Sequence, residues 1–463
     1  MYAPTLGLLL AGAGSALAAL DVDFKSTASI KAAAKDVAFD VMSYYKGNRT
    51  GKILGLLGDK PPAGEYYWWN SALLWSTMID YWRYTGDDTY NAVTVEGLTA
   101  QNGHMADRKG IPFLHFNWTV GTGNDDQGFW AMAGLQAAEL GFSNPPAGQP
   151  SWLDLAKGVF EALAIRWGLD ATVCSNGGLR WMIVPMDAGY NYKNTISNAV
   201  FANLGARLAR YTGNTTYGEW ADKSWTWLTE VGFIDADSSV FDGAHVEKNC
   251  SDLNPIQWTY TAGVLIETAA FMYNETSSKT WLNRLTALTN HTLSHFFPAS
   301  ILAERACELP NQASKCTGDM RFLKGILLRS LASAAPLAAP VREALDSAGV
   351  LKATAEAAVK TCEGGVRGRE CSWEGEVGVQ EEMNVLAAMM GVLAQGGEGK
   401  AVGKQGAAGS GGQSGTGSGS GNGDGSQGGS GEAGSGNEGA KSAGATVKAG
   451  MAMMFGGLVA ALV

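Results

Sequence analysis

The chain has 463 residues, a formal net charge of −10 and a hydrophobic share of 46%. That length and apolar content suit one large core or roughly two or three average domains. The acidic balance argues against nucleic acid or anionic lipid as a partner, and no basic motif offsets it.

Residues 6–19 form a short apolar run rich in Leu, Ala and Gly that ends in Ala16-Leu17-Ala18. The small-x-small ending reads as a secretory signal peptide over residues 1–19. A membrane-spanning helix would need about 20 apolar residues.

The segment YYWWNSALLWSTMIDYW follows, with Trp68, Ala72, Trp75, Ile79 and Trp82 at alternating spacings of four and three and Leu74, Met78 and Tyr81 on another face. A helix apolar nearly all round is buried on all sides. Next comes GNDDQGFW, where Asp125 and Asp126 open the Ala-rich run AMAGLQAAEL, which stops at Gly141. Acids at a helix start are favoured as caps and by the helix dipole. Paired carboxylates are also what glycosidic-bond cleavage needs, one to protonate the leaving oxygen and one to attack or to activate water.

Buried-type segments recur near Tyr67, Asp125, Thr195, Gln257, Asp319 and Gln380, with starts roughly 60–70 residues apart, the mark of a repeat architecture. Between them lie amphipathic, charged segments beginning at Ser151, Tyr217 and Val341. The joints RYTGDDTYN at Arg83 and RYTGNTTYG at Arg210 each place Gly where a helix end needs a left-handed residue. Six inner and six outer helices in alternation describe an all-α (α/α)6 barrel over residues 20–395. If the inner helices run parallel, their N-terminal ends converge, so Asp125 and Asp126 meet Trp69, Asn70, Tyr192, Asn194, Trp258, Tyr260 and Asp319. Aromatic rings beside paired acids make a carbohydrate groove, because sugar faces stack on rings while polar side chains bond hydroxyls.

Six cysteines occur and none falls in a CxxC spacing, which favours disulfides over zinc. Pairing near neighbours gives Cys307–Cys316 and Cys362–Cys371 and leaves Cys174 with Cys250, one of about fifteen connectivities that six cysteines allow. Asn-x-Ser/Thr sequons lie at Asn48, Asn117, Asn214, Asn249, Asn274 and Asn290, a pattern suited to a glycosylated ectodomain. Residues 396–448 are dominated by Gly and Ser and read as a flexible tether. Residues 449–463 form an apolar tail. Small residues, a spacer and a terminal apolar tail read as a GPI-attachment signal, with Asn437 the preferred acceptor and Gly436 or Gly439 also fitting.

Together the motifs YYWWNSALLWSTMIDYWRYTGD, NDDQGFWAMA, GGLRW, YNYKNTISNAVFANLGARLARYTGN, VFDGAHVEKNCSDLNPIQWTYTAG and KCTGDMRFLKGILLR resemble glycoside hydrolase family 76, in particular its fungal GPI-anchored members. The resemblance implies an (α/α)6 barrel and a retaining mechanism on α-1,6-linked mannose, with Asp125 as nucleophile and Asp126 as acid/base. Motif positions Asn124, Arg180, Asn198 and Asp242 join Trp69, Asn70, Tyr192, Asn194, Trp258 and Tyr260 as expected substrate contacts. Asn70, Met182, Thr261 and the start VQEEMN depart from the family pattern. No metal or cofactor is implied. The resemblance further implies a wall role: cleavage within the mannose glycan of GPI anchors, or of mannan, with transfer of the glycoprotein to a glucan acceptor by a monomer held at the plasma membrane through GPI lipid. From the residues alone, a non-catalytic mannan-binding wall protein, an inverting glycosidase and a lyase on the same barrel stay open.

A retaining pair needs carboxyl groups about 5–5.5 Å apart, and neighbours on a regular helix do not face each other. The expected resolution is Asp125 at or before the N-cap with Asp126 in the first turn.

Overall fold

A computed structural model describes residues 20–61, 63–102, 121–170, 172–308, 315–364, 369–373 and 376–405. The expected leader, the Asn117 sequon, Asn437 and the apolar tail lie outside the described residues. The helices in chain order are α1 (Thr27–Tyr44), α2 (Trp68–Thr85), α3 (Asn91–Ala100), α4 (Asn124–Leu140), α5 (Trp152–Leu169), α6 (Thr195–Thr212), α7 (Thr215–Glu230), α8 (Thr259–Thr276), α9 (Lys279–Phe296), α10 (Leu323–Ala334), α11 (Ala339–Ala348), α12 (Val350–Val359) and α13 (Val379–Gln395).

Helices α2, α4, α6, α8, α10 and α13 pack each on the next, and α13 returns to α2, closing an inner ring. Helices α3, α5, α7 and α9 lie outside the inner helices that precede them, α1 packs on α13 and α2, and α12 packs on α13. This is the (α/α)6 barrel expected from the recurrence. The inner helices are buried nearly all round: α2 buries every residue from Trp68 to Tyr84. Full burial of a large apolar side chain such as Trp75 or Trp130 contributes roughly 1.5–3 kcal/mol. At Gly263 the ring is too tight for any side chain, since a Cβ there would lie 2.8 Å from the Leu327 Cα.

Helix ends fall where the sequence placed them. Gly86, Gly141 and Gly213 stop α2, α4 and α6 in the left-handed conformation, at φ of 80°, 61° and 72°. The segment from Val341 differs from a continuous outer helix: Gly349, at φ 64°, ends α11 and α12 starts beyond it. Two short antiparallel strand pairs also form, β1 (Tyr192–Asn194) with β2 (Gly243–His245), which lies beyond α6 and α7 in the chain, and β3 (Cys362–Gly364) with β4 (Glu370–Cys371). Their strands are too short for an alternating pattern to announce them. All three disulfides form as paired above: Cys174–Cys250, Cys307–Cys316 and Cys362–Cys371.

The folded unit does not stop at residue 395. Residues 396–405 cross the base of the barrel, where Arg83 Nε donates to the Lys400 carbonyl at 2.9 Å and Arg210 donates to those of Val402 and Gly403 at 3.1 and 3.0 Å. The Gly403 and Gln405 N–H groups return bonds to Glu139 and Tyr211, and Val402 is buried. The glycines here serve backbone pairing rather than a free tether. Among the described residues no helix is long and apolar enough to cross a membrane.

Candidate active site

Asp125 and Asp126 both sit inside α4, whose N-cap is Gly123. That corrects the expected placement of Asp125 at or before the cap. Side chains on a helix tilt toward its N-terminus, so first-turn carboxylates reach past the helix end without irregular backbone. The Gly123 N–H donates to Asp126 Oδ2 at 2.7 Å. Asp125 Oδ1 accepts the Asp126 N–H at 3.0 Å and its Oδ2 accepts Asn194 Nδ2 at 3.3 Å. Asn194 also caps α6, taking the Ser197 N–H on its side-chain oxygen.

The two acids open on a cleft of about 460 Å³ at the N-terminal ends of the inner helices. Trp69, Tyr192, Asn194, Asp242, Trp258, Tyr260 and Asp319 line it, as expected, together with Tyr67, Phe129, Trp181, Met182, Met320 and Leu323. Its described lining holds four aspartates and no lysine or arginine. Asp242 is a hub: Tyr192 Oη, Trp258 Nε1 and Asn254 Nδ2 donate to its carboxylate at 2.7, 2.9 and 3.0 Å. It thereby fixes two aromatic walls.

Four expected substrate contacts stand behind the wall instead. Asn70 is fully buried, caps α2 through the Tyr67 N–H and donates to Asp319 Oδ1 at 3.1 Å. Asn124 donates to the Arg180 carbonyl and accepts from Arg166, at 2.9 and 2.7 Å. Arg180 turns away from the cleft into a fork on Asp170, at 2.6 and 2.9 Å, and bonds the Tyr190 carbonyl. Asn198 is fully buried and holds the Leu179 N–H and C=O at 2.7 and 3.1 Å. Asn124 and Asn198 bracket the 179–183 loop against α4 and α6, which puts Trp181 and Met182 at the cleft. Trp181 and Tyr67 were legible only as neighbours of the motif residues; both are partly exposed, as sugar-facing rings must be.

The electrostatics couple the two acids. Burial raises the Asp125 carboxyl, to about 7, against the opposing bonds from the Asp126 N–H and Asn194, and the Asp319 charge adds to the rise. Burial also raises Asp126 well above the usual carboxylate range, and there the adjoining Asp125 charge raises it further, opposed chiefly by the Gly123 N–H. Both carboxyls are thus raised by burial, and the charge of Asp125 acts on Asp126 as an added upward push, the kind of coupling that lets a proton persist on a carboxylate pair near neutrality. Asp319 is raised by burial too, against bonds from Asn70 and Trp69. Among the described residues no group of three or more His, Cys, Asp or Glu is arranged to hold a metal ion.

Residues 29–403 match the family model of glycosyl hydrolase family 76. The chain is 38% identical to the mannan endo-1,6-alpha-mannosidase DCW1 of Saccharomyces cerevisiae, over 81% of this chain and 82% of the relative. It is 35% identical to the mannan endo-1,6-alpha-mannosidase DFG5 of Candida albicans, over 84% and 85%. Dfg5 from Chaetomium thermophilum, solved in complex with glucosamine, superposes with a TM-score of 0.75 at 41% identity and covers 82% of this chain and 94% of its own. The α-1,6-mannanase GH76A of Salegentibacter sp. HEL1_6 shares the fold, with a TM-score of 0.58 at 18% identity over 78% and 98%. With the barrel, the paired aspartates and these likenesses in agreement, the chain belongs to glycosyl hydrolase family 76, and it is a glycoside hydrolase.

Proposed function

We propose that the protein is a retaining α-1,6-mannosidase that works mainly by transfer, cleaving the mannose glycan of GPI anchors or mannan and passing the glycosyl group to wall glucan. The observation that carries this reading is the pair Asp125 and Asp126, both in the first turn of α4 and both opening on an aromatic-walled cleft whose charged lining is acidic. Asp125 attacks the anomeric carbon while Asp126 protonates the leaving oxygen. The Asp125–glycosyl ester is then broken by an acceptor hydroxyl whose proton passes to Asp126. Proximity of the carboxylate to the α4 N-terminus favours its ionised form.

The linkage is supported by the curated relatives, both mannan endo-1,6-alpha-mannosidases, and by the mannotetraose-type ligand of a distant member: an inactive GH76A variant binds α-1,6-mannotetrose. Export, GPI attachment and residence at the plasma membrane or wall are supported by the leader and tail patterns and by three disulfides, which persist in oxidising compartments. A GPI tether would hold a monomeric enzyme beside membrane-anchored glycans at high effective concentration.

The test is to supply an α-1,6-mannooligosaccharide or GPI-glycan donor with a β-glucan acceptor and follow products by NMR and mass spectrometry. Retention of the α-anomer and a donor–acceptor adduct are expected. An inverted anomer, or free reducing sugar with no adduct, overturns the corresponding part. Peptide mapping of the secreted protein should find no residue beyond the attachment site; intact Val463 would refute GPI processing.

A further inference from the structure

Below the catalytic cleft, on the barrel axis, lies a second cavity of about 50 Å³. Its wall is charged in balanced pairs. Arg329 bonds Asp80 at 2.6 Å, Arg207 bonds Glu139 at 2.7 Å, and Gln136 donates to Asp80 at 2.6 Å. Val402 of the basal strap closes it from beneath. A polar cavity of this size has room for about three or four water molecules, and charged walls hold water where apolar walls stay dry.

Phe129 borders both cavities. It stands one helical turn from the catalytic acids, on the same face of α4 as Asp125 and Asp126 by i+4 and i+3 spacing, and Ala133 follows it one turn further down. Its ring is 5% exposed and lies 5.3 Å from that of Trp69. An aromatic partition thus separates an ionic chamber with room for water from the acids that line the cleft.

We infer that Phe129 sets the balance of transfer over hydrolysis by keeping the water of the axial chamber from the glycosyl-enzyme. The inference rests on the transfer reading above. Acceptor sugar in the cleft displaces water at the mouth, so the route from behind is the one a transferase must block. Where water passes Phe129, its oxygen bonds the anomeric carbon, the C–O bond to Asp125 breaks and its proton goes to Asp126, the same step an acceptor hydroxyl takes. Both products come from one intermediate, so their ratio is independent of how much enzyme is folded or active.

The experiment measures hydrolysed and transferred product at fixed donor and acceptor for the wild type, Phe129→Ala, and the double variants Phe129→Ala/Ala133→Leu and Phe129→Ala/Ser333→Val, which return bulk to the chamber. A several-fold rise in the hydrolysis-to-transfer ratio is expected for Phe129→Ala, reversed in whichever double variant retains turnover. An unchanged ratio in Phe129→Ala refutes the seal. A ratio that stays high in the double variants means the water enters through the mouth, and refutes the chamber as its source. A wild type that makes no adduct defeats the transfer reading itself, before any variant is compared.

Discussion

Replacing Asn194 by serine separates two jobs that this side chain performs. Serine caps a helix about as well as asparagine, so the start of α6 is kept, but it is too short to carry an amide to Asp125. The lost bond is 3.3 Å long, beyond the usual range for N–H···O. It therefore belongs at or below the weak end of bonds to charged groups, about 1.4 kcal/mol. That is about one pH unit on the Asp125 carboxyl. The sign follows from which form the bond favours: an amide donor stabilises the carboxylate, so its loss raises Asp125 above its present value near 7. The nucleophile must be ionised, and the acid limb of the kcat/KM profile reports that ionisation in the free enzyme. The limb should move upward by as much as about one unit, an approximately tenfold loss of rate below it, with little change in thermal midpoint. Asn194→Ala should add a stability loss of about 1 kcal/mol from the missing cap. An Asn194→Ser profile superposable on the wild type would mean that Asp125 is not the ionising group that limits the acid side.

Asp319→Asn should move both limbs of the same profile to lower pH, because the charge it removes raises both Asp125 and Asp126; an upward shift would contradict that sign. Asp242→Asn turns one of the two oxygens that accept from Tyr192, Trp258 and Asn254 into a donor. At least one half-buried wall donor then loses its partner, at a cost of about 0.5–1.5 kcal/mol, so KM should rise more than kcat falls, and a pure kcat defect would count against a wall-holding role. Asp126→Asn should slow turnover by about 10²–10⁴ on donors with poor leaving groups and much less on activated aryl donors; equal losses on both would exclude it as the general acid. Removing the Cys174–Cys250 link, which spans 76 residues, should lower stability in urea melts by about 4.5 kcal/mol on the chain-entropy model, and an unaltered midpoint would refute that estimate.

The barrel was legible because its inner helices advertise themselves. A segment with no solvated face, such as α2, can only be interior, and recurrence of that signal counted the ring. Glycine at the joints marked the ends of α2, α4 and α6 for a local reason, the left-handed backbone. The acidic pair was legible for a chemical reason. What the sequence could not separate was polar residues that touch substrate from polar residues that hold the wall. Asn194 and Asn198 lie one turn apart in the same motif, yet one reaches Asp125 and the other grips Leu179. Arg180 likewise looked like a sugar ligand until its partner Asp170 was seen. The basal strap was hidden because its bonds come from main-chain carbonyls, which composition does not register; Gly396, Gly397, Gly399 and Gly403 resemble any linker.

That strap has a mechanical meaning. Tension on the chain beyond Gln405 would load the clasps of Arg83 and Arg210 on the carbonyls of Lys400, Val402 and Gly403, at the C-terminal ends of α2 and α6. Helix α4, with 17 residues, spans about 25 Å, and the catalytic acids stand at its other end. The last described stretch of the chain is thus clasped at the opposite end of the ring from the cleft, about one helix length away from Asp125 and Asp126.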